Sequence, residues 1–390
     1  MVPVAEPTPD APRPHGLPSP APTPPPGYLD AVAGQPLLPA AQQAWRAAAE
    51  QSWSDPARLH HEGRRAGIVL DAARASLAES LGVGPAEVFL TSSGPTALAV
   101  AVQGLLESRT AVSRRAVVTA VESMAVTMPV ERWSGEVSTV PVDAWGRVDM
   151  TGLARELEQP AALVCVQAAN GEVGTRQPLA GVSQLTRAAE VPLLVHAIQV
   201  IGREAVPDGW DVLAASARDW GGPAGVGVLV VRSGQRWRPA DSPDRGWVGG
   251  FPDIPGAAAA AAALEYLRPH AAEESARLSG LVDLIRATLP GLVPGITVAG
   301  DPVDRLPHIV TITCAGVTGE EIVTELDRRG VAVASGSACT ADTRMPSQVL
   351  AAMGLDDGAS VRISLPLGCT ADSVQLLLRE FAPAVAGVRQ

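Results

Sequence analysis

Between residues 88 and 231 the chain alternates short, continuous apolar runs with stretches whose apolar residues recur every three or four positions. The apolar runs at 88–91, 116–120, 162–167, 193–197, 212–215 and 226–231 are rich in Val and Leu. Runs of that kind predict strands buried on both faces. Helical patterns at 96–106, 123–133, 150–158 and 180–189 fall between them. Strands alternating with helices predict a mostly parallel sheet covered by helices on both sides. Residues 236–254 are rich in Pro, Gly and Asp and mark a boundary. Beyond it the pattern predicts one long helix at 255–289, strands near 308–313 and 331–335, a helix at 318–329 and a closing helix at 371–382. Residues 1–27 hold eleven prolines and almost nothing large and apolar, which predicts a disordered Pro-rich tail. Three segments result: the tail 1–27, a large α/β domain at 28–250 and a small α+β C-terminal domain at 251–390.

Composition narrows the function. Hydrophobic residues make up 46% of the 390 positions, ample for a large core. The formal net charge is −11 without a run of basic residues, which argues against nucleic acid or an anionic membrane as partner. The alanine run at 257–263 is too short to span a bilayer. Cys165, Cys314, Cys339 and Cys369 form neither a CxxC pair nor a metal-ligand spacing. The N-terminus lacks a basic segment followed by an apolar one, so these read as cytoplasmic thiols. Above all, the 30 Lys+Arg residues are all arginine. Without a lysine no side chain can form the imine that usually holds pyridoxal phosphate.

That absence matters because of the motifs. Val333-Ala334-Ser335-Gly336-Ser337-Ala338-Cys339-Thr340, then Pro346-Ser347-Gln348-Val349-Leu350 and Val361-Arg362-Ile363-Ser364-Leu365, resemble the C-terminal part of cysteine desulfurases, members of the class-V aminotransferase superfamily. Tyr28-Leu29-Asp30, Leu59-His60-His61-Glu62-Gly63-Arg64, Ala169-Asn170-Gly171-Glu172-Val173-Gly174, Ala197-Ile198-Gln199 and Ser216-Ala217-Arg218-Asp219-Trp220-Gly221-Gly222-Pro223 follow the same family order. The resemblance covers about 28–385. It implies a type I pyridoxal-phosphate transferase fold: a large domain with a mostly parallel seven-stranded-type sheet, a smaller α+β domain, and first residues that pack on the smaller one. It also implies a persulfide on Cys339, a substrate carboxylate on Arg362, and a dimer.

Position by position, the chain departs from the family pattern. Asp219 stands where the pattern has the Schiff-base lysine. An aspartate forms no imine, and a carboxylate about 6 Å from the cofactor phosphate would repel it by roughly 3 kcal/mol at an effective dielectric of ~20. His196 replaces the aspartate that keeps the pyridine nitrogen protonated; it is either a hydrogen-bond partner of that nitrogen or an imidazole packed at a strand end. Ser123 replaces the histidine that stacks on the ring. Pro95 replaces a phosphate-binding threonine and brings no N–H, leaving Ser92, Ser93 and Thr96 as a substitute cup. Val248-Gly249-Gly250-Phe251 replaces a loop that carries Arg and Thr. Asn170, Gln199, Ser216, Arg218 and Arg362 remain as a remnant pocket, and each also has a purely structural reading. For Arg362 a ligand carboxylate and a buried structural carboxylate are equal readings. Cys339, with Arg344 nearby, is the candidate persulfide acceptor. Cys369, after Gly368, is a candidate exposed thiol.

These departures give three expectations. The first is a desulfurase-like protein with a degenerate site, not a pyridoxal-phosphate enzyme, acting as a scaffold, a homodimer or the heterodimer partner of an active paralogue. The second is a persulfide carrier through Cys339 that serves a sulfur-acceptor protein. The third is a class-V enzyme that binds pyridoxal phosphate non-covalently. The cofactor expectation is none, or pyridoxal phosphate without a covalent bond. No metal is expected.

Overall fold

The computed structural model describes residues 24–336, 347–355 and 360–389. In chain order the elements are α1 (Pro39–Gln51), α2 (His61–Leu81), β1 (Val88–Thr91), α3 (Gly94–Ser108), β2 (Arg115–Thr119), α4 (Met124–Trp133), β3 (Glu136–Val140), α5 (Met150–Glu156), β4 (Leu163–Gln167), α6 (Leu179–Ala188), β5 (Leu193–His196), β6 (Val212–Ser216) and β7 (Gly227–Val231). They continue with α7 (Ile254–Leu267), α8 (Ala271–Leu292), β8 (Ile296–Val298), β9 (Ile309–Cys314), α9 (Gly319–Arg328), β10 (Ala334–Ser335), α10 (Gln348–Ala352), β11 (Ser360–Ser364) and α11 (Ala371–Val388).

Seven strands form one sheet in the order β1-β7-β6-β5-β4-β2-β3. The five from β3 to β6 run parallel, and β7 pairs antiparallel with both β6 and β1. Its central strands are buried throughout because side chains of alternate parity enter two different cores. Val164 and Val166 of β4 pack on one face with Val195 and Leu213. Leu163 and Cys165 pack on the other with Leu194 and Val212, beneath α3 and α4. The fold is thus the α/β type I pyridoxal-phosphate transferase fold that the motifs implied.

A second sheet, β10-β11-β9-β8, is antiparallel and has its own core of Ile312, Val361, Ile363, Leu377 and Phe381. Leu29 belongs to that core, and the chain around it adds a short strand-like rung: Leu29 N–H donates to Ala332 C=O at 2.8 Å and Ser364 N–H to Leu29 C=O at 2.8 Å. The first described residues therefore pass over the second sheet before α1 returns to the first.

Two helices stand where a single one at 255–289 is expected. Pro269 has no N–H to continue the helix, and the chain restarts at α8. The first of the pair, α7, packs its alanine face on α1 and α2 within the core of the large sheet, although the composition boundary falls ahead of it. The closing helix is longer than expected and runs through Pro383 to Val388.

Candidate functional site

A cavity of about 390 Å³ opens at the carboxyl ends of β4, β5 and β6, where the large sheet faces the second one. That is the place where parallel α/β sheets gather ligand-binding loops, and the volume suits a small organic ligand. Asn170 and Glu172 reach it from the loop after β4, His196 and Gln199 from the end of β5, and Ser216 and Arg218 from the end of β6. Pro95 comes from the first turn of α3, Glu122 and Ser123 from the loop before α4, and Arg362 from β11. Six sequence-predicted residues therefore meet in one place: Asn170, His196, Gln199, Ser216, Arg218 and Arg362.

Asp219 is not part of the lining. It lies behind Gln199 in a single helical turn, Ala217–Trp220, and is 3% exposed. Gln199 Nε2 donates to its Oδ1 at 2.6 Å, while Gln35 Nε2 donates to its backbone oxygen at 2.9 Å. Arg218 Nε stands 3.8 Å from the other carboxylate oxygen. Burial pushes the Asp219 carboxyl above the usual range, and Arg218, Gln199 and Arg203 hold it back. Arg203, buried behind it, donates to Gln35 Oε1 at 3.1 Å and to Leu365 C=O at 3.3 Å, and burial lowers it to about 10. His308 completes the group, its Nε2 lying 3.3 Å from Gln199 Oε1. Burial and the charges of Arg203 and Arg362 push His308 well below the usual imidazole value, so it stays neutral. Position 219 is therefore the centre of a buried polar network.

The substitute phosphate cup is only partly formed. Ser93 Oγ accepts from Thr96 N–H at 3.1 Å and so caps α3, and both Ser92 and Ser93 hydroxyls meet the Thr96 hydroxyl, at 3.3 and 2.8 Å. Neither serine lines the cavity. Pro95 sits in the first helical turn, where no intrahelical N–H is lost. The helix start itself lies close: a Cβ on Gly94 would come within 2.7 Å of Ser216 Cβ. Arg218, about two-fifths exposed, is the nearest fixed positive charge on that wall.

Arg362 is 1% exposed, and its Nη2 donates to Asp30 Oδ1 at 3.0 Å, a carboxylate that is itself 19% exposed. Several polar atoms around the cavity have no hydrogen-bond partner among the described residues: Arg362 Nε, Arg218 Nε, Ser123 Oγ and Glu122 Oε1. Burial raises the Glu172 carboxyl above its usual range. Glu172 stands in one of the motifs without a role and Glu122 in none; the fold brings both to the cavity. Arg203, His308 and Gln35 gave none, since only the fold brings them to Asp219.

Cys339 and Arg344 lie outside the described residues. Cys369, expected in the open, is fully buried against α8, with its thiol pushed up to about 11, chiefly by burial. Cys165 is a core residue of β4 and Cys314 ends β9, both buried. Among the described residues no cluster of metal-ligating side chains occurs, and no helix is long and apolar enough to cross a membrane.

A sheet of this order with a polar cavity at its strand ends is the framework of class-V aminotransferases. The family model "Aminotransferase class-V" matches residues 27–377, and the chain belongs to that family. Within it the chain is cysteine desulfurase-like. It is 33% identical over 377 residues to a cysteine desulfurase of Cereibacter sphaeroides, covering 93% of this chain and 96% of that one. It is 34% identical to an IscS-like cysteine desulfurase of Mycobacterium tuberculosis over 383 residues, 93% and 97% of the two chains. A solved NifS-like protein superposes with a TM-score of 0.84 at 25% identity, covering 93% of this chain and all of the other.

Family membership corrects the expectation that the chain carries no cofactor: residues 27–377 match a family of pyridoxal-phosphate proteins, and pyridoxal phosphate is the group the cavity is to be tested against. The residues fit it in part. The unpartnered donors and acceptors, the α3 start and Arg218 suit a polar, anionic, ring-sized ligand. What does not fit is a covalent attachment, since the chain has no lysine and Asp219 is turned under Gln199.

Proposed function

We propose that this chain is a desulfurase-like protein that holds pyridoxal phosphate reversibly, without a bond to the protein, and works by association rather than by turning over cysteine. The observation that carries the reading is Asp219, buried and tied to Gln199 where the family pattern places its lysine. In this reading the α3 start and Arg218 meet the phosphate, and Gln199 and His196 border the ring. Arg362 is the candidate for the carboxylate of an amino-acid ligand. When bound, pyridoxal phosphate supplies an electron-withdrawing ring able to stabilise charge on an attached amino acid. Two of the residues that would hold it are already engaged, Gln199 by Asp219 and Arg362 by Asp30. A ligand must compete with those bonds, which favours weak, exchangeable binding.

The association part of the reading is supported by the surface. Trp53, Leu59, Ile68 and Phe251 are 63–87% exposed, and Ile68 borders an alanine-lined groove between α2 and α7. Large exposed apolar groups of that kind suit contact with a second copy of the chain. The test is an absorbance titration with pyridoxal phosphate, followed by dialysis and an assay of sulfide release from cysteine, with light scattering for the assembly state. The reading expects a saturable spectral change that dialysis reverses, a dimer, and no sulfide beyond that made by free cofactor. Catalytic sulfide release, or a protein that leaves the cofactor spectrum untouched, would overturn it.

A further inference from the structure

Glu122 and His196 make a contact that the family pattern does not contain. The Glu122 side chain is fully buried at the end of the large sheet. Its Oε2 accepts from Ser123 N–H at 3.2 Å and lies 3.3 Å from His196 Nδ1. A carboxylate at Nδ1 fixes the proton on that nitrogen and orients the ring. The other nitrogen, Nε2, makes no hydrogen bond to any described residue, and His196 borders the cavity. Gln167, beside it on β4, does not compete, because its Nε2 is spent on Val121 C=O at 2.7 Å. The family-like arrangement has an imidazole at position 123 and a carboxylate at 196. Here the imidazole has moved to 196, and the carboxylate behind it comes from Glu122.

We propose that Glu122 and His196 form a carboxylate–imidazole dyad that delivers a proton to a heteroaromatic ring nitrogen bound in the cavity. This rests on the reading that the cavity takes a phosphorylated pyridine. With such a ring bound, an imidazolium at position 196 would give its Nε2 proton to the lone pair of the ring nitrogen. The Nε2–H bond breaks as the new N–H bond forms. His196 is left neutral with its Nδ1–H on Glu122, whose carboxylate keeps its charge throughout, so the sum over the three groups does not change. A carboxylate acting through an imidazole thereby stands in for a carboxylate placed directly on the ring. The other charged groups around the dyad are Glu172 after β4, Arg218 and Asp219 after β6, and Arg362 on β11. The Cys165 thiol on β4 is held neutral by burial.

The test uses the full chain saturated with pyridoxal phosphate carrying ¹⁵N at the ring nitrogen, read by ¹⁵N NMR as a function of pH. The expected result is a protonated ring nitrogen in the parent and a protonation midpoint at least about one pH unit lower in Glu122→Gln and His196→Gln, a tenfold change. His196→Asp is expected to restore the parent signal, which a packing role for the histidine would not do. It also keeps Glu122 intact if Glu122→Gln folds poorly. A neutral ring nitrogen in the parent, or variants that match the parent while binding the cofactor, would overturn the dyad and leave the binding reading standing. A parent that binds no pyridoxal phosphate would overturn both.

Discussion

Replacing Asp219 by lysine puts an amine back at the family position, and the structure predicts that it destabilises the fold. The Asp219 carboxylate accepts from Gln199 at 2.6 Å. Losing a buried hydrogen bond to a charged group costs about 1.5–3 kcal/mol. Its pair with Arg218 at 3.8 Å would be worth about 4 kcal/mol at an effective dielectric of ~20, but the guanidinium is 39% exposed, which reduces it to about 1. Lysine turns that attraction into repulsion of similar size, and it leaves the buried Arg203 without its nearest opposite charge. The sum is a loss of about 3–5 kcal/mol, or about 4–6 °C in melting temperature for a chain of 390 residues. The double variant Asp219→Lys with Arg218→His removes the repulsion and recovers about 1–2 kcal/mol of it. Differential scanning calorimetry at neutral pH measures both. An Asp219→Lys protein that melts within about 1 °C of the parent (about one-fifth of the expected shift) would refute the claim that a network has been rebuilt around the carboxylate.

Other predictions follow from the same groups. His308 is kept neutral in the fold, so the unfolded chain binds the extra proton. Its contribution is intact above pH 6.5 and falls as pH drops, by about 1.4 kcal/mol at one unit below. His308→Gln should flatten that acid limb in urea titrations from pH 7 to 5.5. Glu172 has the opposite sense: its raised folded value means that stability falls as pH rises out of the ordinary carboxylate range and then levels. Glu172→Gln should stabilise by about 1 kcal/mol at pH 8 and by progressively less towards pH 4, checked in the same titrations. Gly94→Ala would set a Cβ 2.7 Å from Ser216, forcing α3 off the end of β6. The expected loss is about 1–3 kcal/mol of stability together with weaker cofactor binding, measured by calorimetry and absorbance titration.

The six strands of the large sheet announced by apolar runs were legible because both of their faces are buried, so burial alone marks them. β3 was not: its Glu-Val-Ser-Thr-Val run forms an edge, mostly exposed, and reads as a polar connector. The helices α1 and α2 were also missed; their alanine- and arginine-rich faces carry a weak apolar stripe and are held by α7. In the site, the strand-end residues Asn170, His196 and Gln199 were legible from the motifs. The direction of the Asp219 side chain was not, since it depends on Gln35, Arg203 and His308, which are far apart in the chain. Nor did composition foretell a cofactor; the missing lysine argues only against its covalent attachment. Cys369 misled because a Gly-Cys pair in a loop says nothing about the helix that covers it.

The most direct test of the central claim is to saturate the protein with pyridoxal phosphate, treat one half with borohydride, dialyse both halves and weigh the intact chains. Non-covalent holding predicts a bound cofactor spectrum before dialysis, its loss afterwards, and an unchanged mass in both halves. A borohydride-dependent mass increase within the folded residues, or no bound spectrum at any concentration, would contradict it.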